Sequence, residues 1–105
     1  MGYAKERGKL EKLLAKVADI NIIDEKNLAV LIDSHEKYSH TVRILKNKNP
    51  DAFMELYKNE LQEVKEAKKT VKENNSKEAR EDTFIAYRDS IVRALDKTIK
   101  TTTEA

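Results

Sequence analysis

Leu28, Leu31, His35, Tyr38, Val42 and Leu45 recur at steps of three, four, three, four and three residues. That spacing lines one side of an α-helix with a continuous seam and puts His35 in one core slot. A strand would scatter the same residues over both faces, because its side chains alternate. Scarce punctuation extends the constraint to the rest of the chain. Two glycines and one proline among 105 residues leave few tight turns, and abundant Ala, Leu, Lys and Glu favour long helices. The expected class is all-α.

Four helical segments follow. Leu10, Leu13, Leu14 and Val17 share one face of a short first helix, with Lys5, Lys9, Lys12 and Lys16 on another. Gly8 leaves its start open between Tyr3 and Lys9. Ile20, Ile22 and Ile23 form an apolar connection expected to be buried. Asp24 suits the N-cap of a second helix running from Glu25 to about Lys46. Ile23 and Leu28 have the spacing of a hydrophobic staple around it. Ile32 and Ile44 give this helix a second apolar contact face.

Asn49 suits the next cap, and Pro50 the first helical position, where an N–H would have no partner. In the third helix, from Pro50 to about Glu73, Met54, Tyr57, Leu61, Val64 and Val71 continue a three-four seam. Lys68 takes one slot, and Phe53 and Leu56 widen the stripe. Asn75 followed by Glu78 resembles a capping box for a fourth helix from Lys77 to about Lys100. Phe84, Ile85, Tyr87, Ile91, Val92, Leu95 and Ile99 form its broad apolar face. Residues 101–105 look like a frayed polar tail. Short connections force neighbouring helices antiparallel. The expectation is a single domain over residues 1–100: an antiparallel bundle of three long helices, with a short N-terminal helix packed across it.

Charged residues make up 38% of the chain, yet the net charge is only +2. Their distribution is uneven. Lys5, Arg7, Lys9, Lys12 and Lys16 outweigh Glu6 and Glu11 by three charges over residues 1–18. Residues 19–40 carry an excess of three negative charges, and Arg43, Lys46 and Lys48 make residues 41–49 positive by three. Such alternation suits complementary contacts between subunits or a local anion-binding edge. Lys65, Lys68, Lys69 and Lys72 form a further stripe, which reads either as a solvated face or as phosphate contacts. Neither lysine stripe carries interleaved aromatics, so single-strand stacking is not expected.

Catalytic chemistry does not assemble. Cysteine is absent, and His35 and His40 face different sides of a helix. Asp33, Ser34 and His35 are helix neighbours that point apart, without a nucleophile elbow. No catalytic, cofactor or metal residue is expected. His35 reads either as a hydrogen-bonded core residue, with Ser39 one turn on, or as a polar device fixing register. No apolar run approaches a membrane span, and no signal-peptide core or myristoylation pattern is present. A cytoplasmic location is expected. The apolar width of the second and fourth helices exceeds what three helices bury. It serves either self-association or the packing of the first helix.

Residues Leu10 to Asn49 resemble small terminase subunits of tailed bacteriophages. The likeness lies in a lysine-rich helix, a second helix after an acidic cap, and an ending built from Arg43, Leu45, Lys46, Asn47 and Asn49. Pro50 stands where those subunits more usually carry an aliphatic residue. The resemblance implies a non-enzymatic homo-oligomer that binds duplex DNA in a host cytoplasm and delivers it to a packaging motor subunit. Lys5, Lys9, Lys12, Lys16, Arg43, Lys46 and Lys48 are the expected contacts. The other function class is a helical adaptor or inhibitor acting on a single protein target.

Overall fold

The structure is a computed structural model that describes residues 2–73 and 77–104. Helix α1 spans Ala4–Ala18, α2 Glu25–Lys48, α3 Pro50–Glu55, α4 Leu61–Glu73 and α5 Lys77–Glu104. A π-helical turn over Leu56–Glu60 joins α3 to α4 without a break, so the described residues form four helices and no strand. None of these helices is long and apolar enough to cross a membrane.

Both readable caps form. The Asn27 amide donates to Asp24 Oδ1 at 2.7 Å, and the Ala52 amide donates to Asn49 Oδ1 at 3.3 Å. Pro50 occupies the first turn behind Asn49. Asn75, the expected cap of the last helix, lies outside the described residues.

The molecule measures 47 × 23 × 17 Å. Named contacts fix the helix directions. One end gathers Glu6 with Lys48, Tyr3 with Phe53, and Arg7 with Thr102. The other end gathers Ile20 with Arg88, and Glu25 with Arg80. Helices adjacent in sequence therefore alternate in direction. The short α1 does not lie across the others; it runs lengthwise and packs against both α2 and α5. Leu10, Leu13 and Val17 turn inward to do so.

The α2 seam is central. Leu31, His35, Tyr38, Val42 and Leu45 are buried, and Leu28 packs half-buried against the same core. The seam between residues 50 and 73 differs from expectation. Phe53 and Leu56 are the buried residues at its start, while Met54 and Tyr57 are half-buried. Leu61, Val64 and Val71 then follow on the inward face. Leu56 to Leu61 is a step of five, too wide for one α turn. The wider π turn spends the extra residue and returns Leu61 to the core side.

Two further expectations change. Of the connecting isoleucines only Ile20 is buried; Ile22 is 63% exposed and Ile23 also faces outward. Here backbone carbonyls hold the chain. Arg88 donates to Ile20 O, and Asn27 Nδ2 to Ile22 O, which turns the following side chains out. The end of the chain is not frayed through its length. Thr101 to Glu104 continue α5, and Thr102 is buried with its hydroxyl and carbonyl accepting from Arg7 at 3.0 and 2.7 Å. The tail docks because α1 brings a guanidinium to it.

Candidate functional site

Running α1 antiparallel beside α2 gathers the two basic segments. Lys5, Lys9 and Lys48 border one cleft of about 240 Å³, floored by Glu6, Thr41 and Ile44. Further along the same groove, Lys9 and Lys12 face Asp33, Lys37 and His40 around about 450 Å³. Some of these charges are committed within the fold. Lys48 pairs with the buried Glu6, and that hydrogen bond holds the Glu6 carboxyl below the usual range. Lys37 pairs with Asp33 at 3.0 Å.

Arg43 lies on the other flank of α2, where α4 packs. It borders a cleft of about 330 Å³ with His35, Glu36, Ser39, His40, Lys65 and Lys68. His35, Ser39 and Arg43 stand at i, i+4 and i+8, one column of α2. Lys65 and Lys68 face them from α4. His35 is 6% exposed, and its Nδ1 is 2.9 Å from Tyr87 Oη. Burial, reinforced by Lys68 and Lys65, lowers its imidazole to about 4 and keeps it neutral at pH 7. Burial also raises the Tyr87 phenol. Tyr38 forms the next polar link, donating to Thr98 Oγ1 at 3.0 Å, while Thr98 donates to Ala94 O. Burial pushes the Tyr38 phenol up to about 12.

The seven expected contact residues thus separate. Lys5, Lys9, Lys12 and Arg43 border clefts and carry neither hydrogen bond nor ion pair among the described residues. Lys16 is exposed and borders neither groove. Lys46 is half-buried, with its ammonium 4.5 Å from the centre of the Tyr57 ring, and Lys48 serves Glu6. Sequence reading missed the meeting of Arg43 with Lys65 and Lys68. The column from His35 to Arg43 was legible at helical spacing, but its partner across the cleft was not.

His35 contacts a phenol, His40 is exposed, and among the described residues no three His, Cys, Asp or Glu side chains cluster as metal ligands. The arrangement offers donors and positive charge, which bind and orient anions. Compared with protein-family models, curated proteins and solved structures, the chain matches none.

Proposed function

We propose that the protein is a non-enzymatic, oligomeric helical protein that holds the backbone of duplex DNA, and that it serves genome packaging as the small terminase likeness implies. The observation that carries the DNA reading is a set of unpaired cations bordering the clefts on both flanks of α2. Lys5, Lys9 and Lys12 of α1 lie on one flank of α2, and Arg43 on the other. The molecule is 47 Å in its longest dimension, against roughly 35 Å for one turn of B-form DNA. Non-specific backbone contact needs only such spaced, solvated cations.

Anisotropy of a labelled duplex tests this reading. About four phosphate contacts predict an affinity loss of about a hundredfold between roughly 50 and 200 mM salt. Replacing Lys9, Lys12 and Arg43 with Gln should flatten the salt slope by about one unit per cation removed. No binding at about 50 mM salt ends the DNA reading. Light scattering tests the packaging role separately: a ring of many subunits supports it, and a monomer removes it.

A second reading has its own observation. Ile22 at 63%, Ile85 at 39% and Ile23 remain exposed after the bundle has packed. These suit an adaptor for a single protein target, whose binding would be insensitive to salt. A pull-down that yields only nucleic acid ends that reading.

A further inference from the structure

We propose that the cleft between α2 and α4 is a seat for one phosphate group, bound by Arg43, Lys65 and Lys68 at its rim, with Ser39 and the imidazole of His35 beneath. The inference deepens the anion-binding reading to a defined ligand group, and it stands or falls separately from duplex binding.

Four observations carry it. The first is unspent charge. Six described cations are ion-paired: Lys37 with Asp33, Lys48 with Glu6, Arg80 with Glu25, Arg88 with Asp89, Lys97 with Glu60 and Lys100 with Asp96. Arg43, Lys65 and Lys68 carry neither an ion pair nor a hydrogen bond among the described residues, although Glu36 borders the same cleft. Three fixed positive charges against one carboxylate leave an excess of two, close to the charge of a phosphate monoester at neutral pH.

The second is donor geometry. Arg43 supplies a planar fork, Lys65 and Lys68 supply ammonium donors from the opposite wall, and Ser39 adds a hydroxyl with no partner among the described residues. Donors on several sides suit a tetrahedral anion with several acceptor oxygens better than a planar carboxylate. The cleft volume of about 330 Å³ admits such a group.

The third is the imidazole. Tyr87 occupies Nδ1, which leaves Nε2 as the ring nitrogen available on the cleft side. Either tautomer satisfies the Tyr87 contact. An anion selects the one with hydrogen on Nε2, in which the phenol donates to Nδ1 and Nε2 donates to the ligand.

The fourth is the local field. The charges of Lys65 and Lys68 disfavour protonation of the buried imidazole, and neither lysine is ion-paired among the described residues. A bound dianion offsets that field. It also reverses the field on His35, whose titration midpoint should rise from about 4 toward the ordinary histidine value. The charged and titratable groups facing His35 are Glu36, His40 and Arg43 from α2, Lys65 and Lys68 from α4, and Tyr87 from α5.

The test is an NMR titration of the two histidine rings in the intact chain. The probes are inorganic phosphate and pyrophosphate, with sodium chloride at matched ionic strength as control. A saturable shift at His35, with an upward move of its titration midpoint, is expected from the phosphates but not from chloride. Lys68→Gln, at a half-buried position, and Arg43→Gln, at an exposed one, should each weaken binding about tenfold or more. Lys69→Gln and Lys72→Gln, on the same helix outside the cleft, should leave it unchanged. Loss of the His35 response on adding phosphate, an equal response to chloride, or equal weakening by the Lys69 and Lys72 changes would each overturn the seat. A short duplex forms the last arm. If it moves His35 as pyrophosphate does, the seat takes backbone phosphate; if only pyrophosphate does, it takes a free phosphorylated compound. Either result supports the seat, and duplex binding without any His35 response to phosphate would leave the DNA reading standing while removing the seat.

Discussion

His35 is a titratable ring enclosed by a phenol on one side and two ammonium groups on the other. Its folded value of about 4 lies below the ordinary 6.5, chiefly because burial disfavours the charged form. Between those values the unfolded chain binds more protons than the folded one. The contribution is therefore complete above about pH 6.5 and is lost as pH falls toward about 4, amounting to at most about 3 kcal/mol. Glu6 acts at lower pH. Its carboxyl is held below 4.5 by Lys48, so its contribution disappears as pH falls through that lowered value. Urea midpoints at about pH 7 and pH 4.5 separate the two groups. The parent chain should lose stability over that interval, and His35→Gln should lose clearly less. Equal losses would mean that His35 is not held neutral by its surroundings.

At the scale of the helix, the π turn over Leu56–Glu60 decides which residues between 50 and 73 face the core. It also carries Tyr57 against Lys46, and Glu60 against Lys97 at 3.1 Å. Deleting the exposed Asn59 would set Leu56 and Leu61 four residues apart, so an ordinary α turn could keep both inward. That deletion should hold stability within about 1 kcal/mol of the parent, since the extra residue serves only register. Deleting the exposed Glu63 instead rotates Val64 and Val71, both buried, by about 100° out of the core, and should cost several kcal/mol. Thermal unfolding followed by circular dichroism compares the two. Equal losses would show that the π turn has no part in register. The three-four rule read Met54 and Tyr57 as seam residues because it assumes 3.6 residues per turn throughout, and a single wide turn offsets them from the seam that Leu61, Val64 and Val71 keep.

At the scale of the molecule, the first and last helices hold each other. α1 has 15 residues, marginal for an isolated helix, and its amphipathic face must pack to persist. Arg7 ties it to Thr102 through two hydrogen bonds, and Arg88 secures its far end through Ile20 O at 2.9 Å. Truncation after Lys100 should cost about 2 kcal/mol and speed amide exchange in α1 more than in α2. Uniform exchange changes, or none, would return residues 101–104 to the status of a dispensable tail. The same lengthwise packing of α1 consumes much of the apolar width of α2 and α5. What remains outside is small: Ile22, Ile23 and Ile85.

The amino-acid sequence by itself determined the helical class, the α2 seam with His35 inside it, the inward face of α1, and the caps at Asp24 and Asn49. All are local. They depend on side-chain spacing along one helix or on backbone groups within four residues, so they are written in contiguous sequence. Only the tertiary structure decided the rest. His35 and Tyr87 are 52 positions apart, and Arg7 and Thr102 are 95 apart. Helical periodicity states which residues share a face but not which other face they meet. That depends on how all four helices share one core, and one π turn is enough to change which residues of 50–73 enter it. The same global packing commits Lys46 to a Tyr57 ring and Lys48 to Glu6, and leaves Arg43 unpaired opposite Lys65 and Lys68.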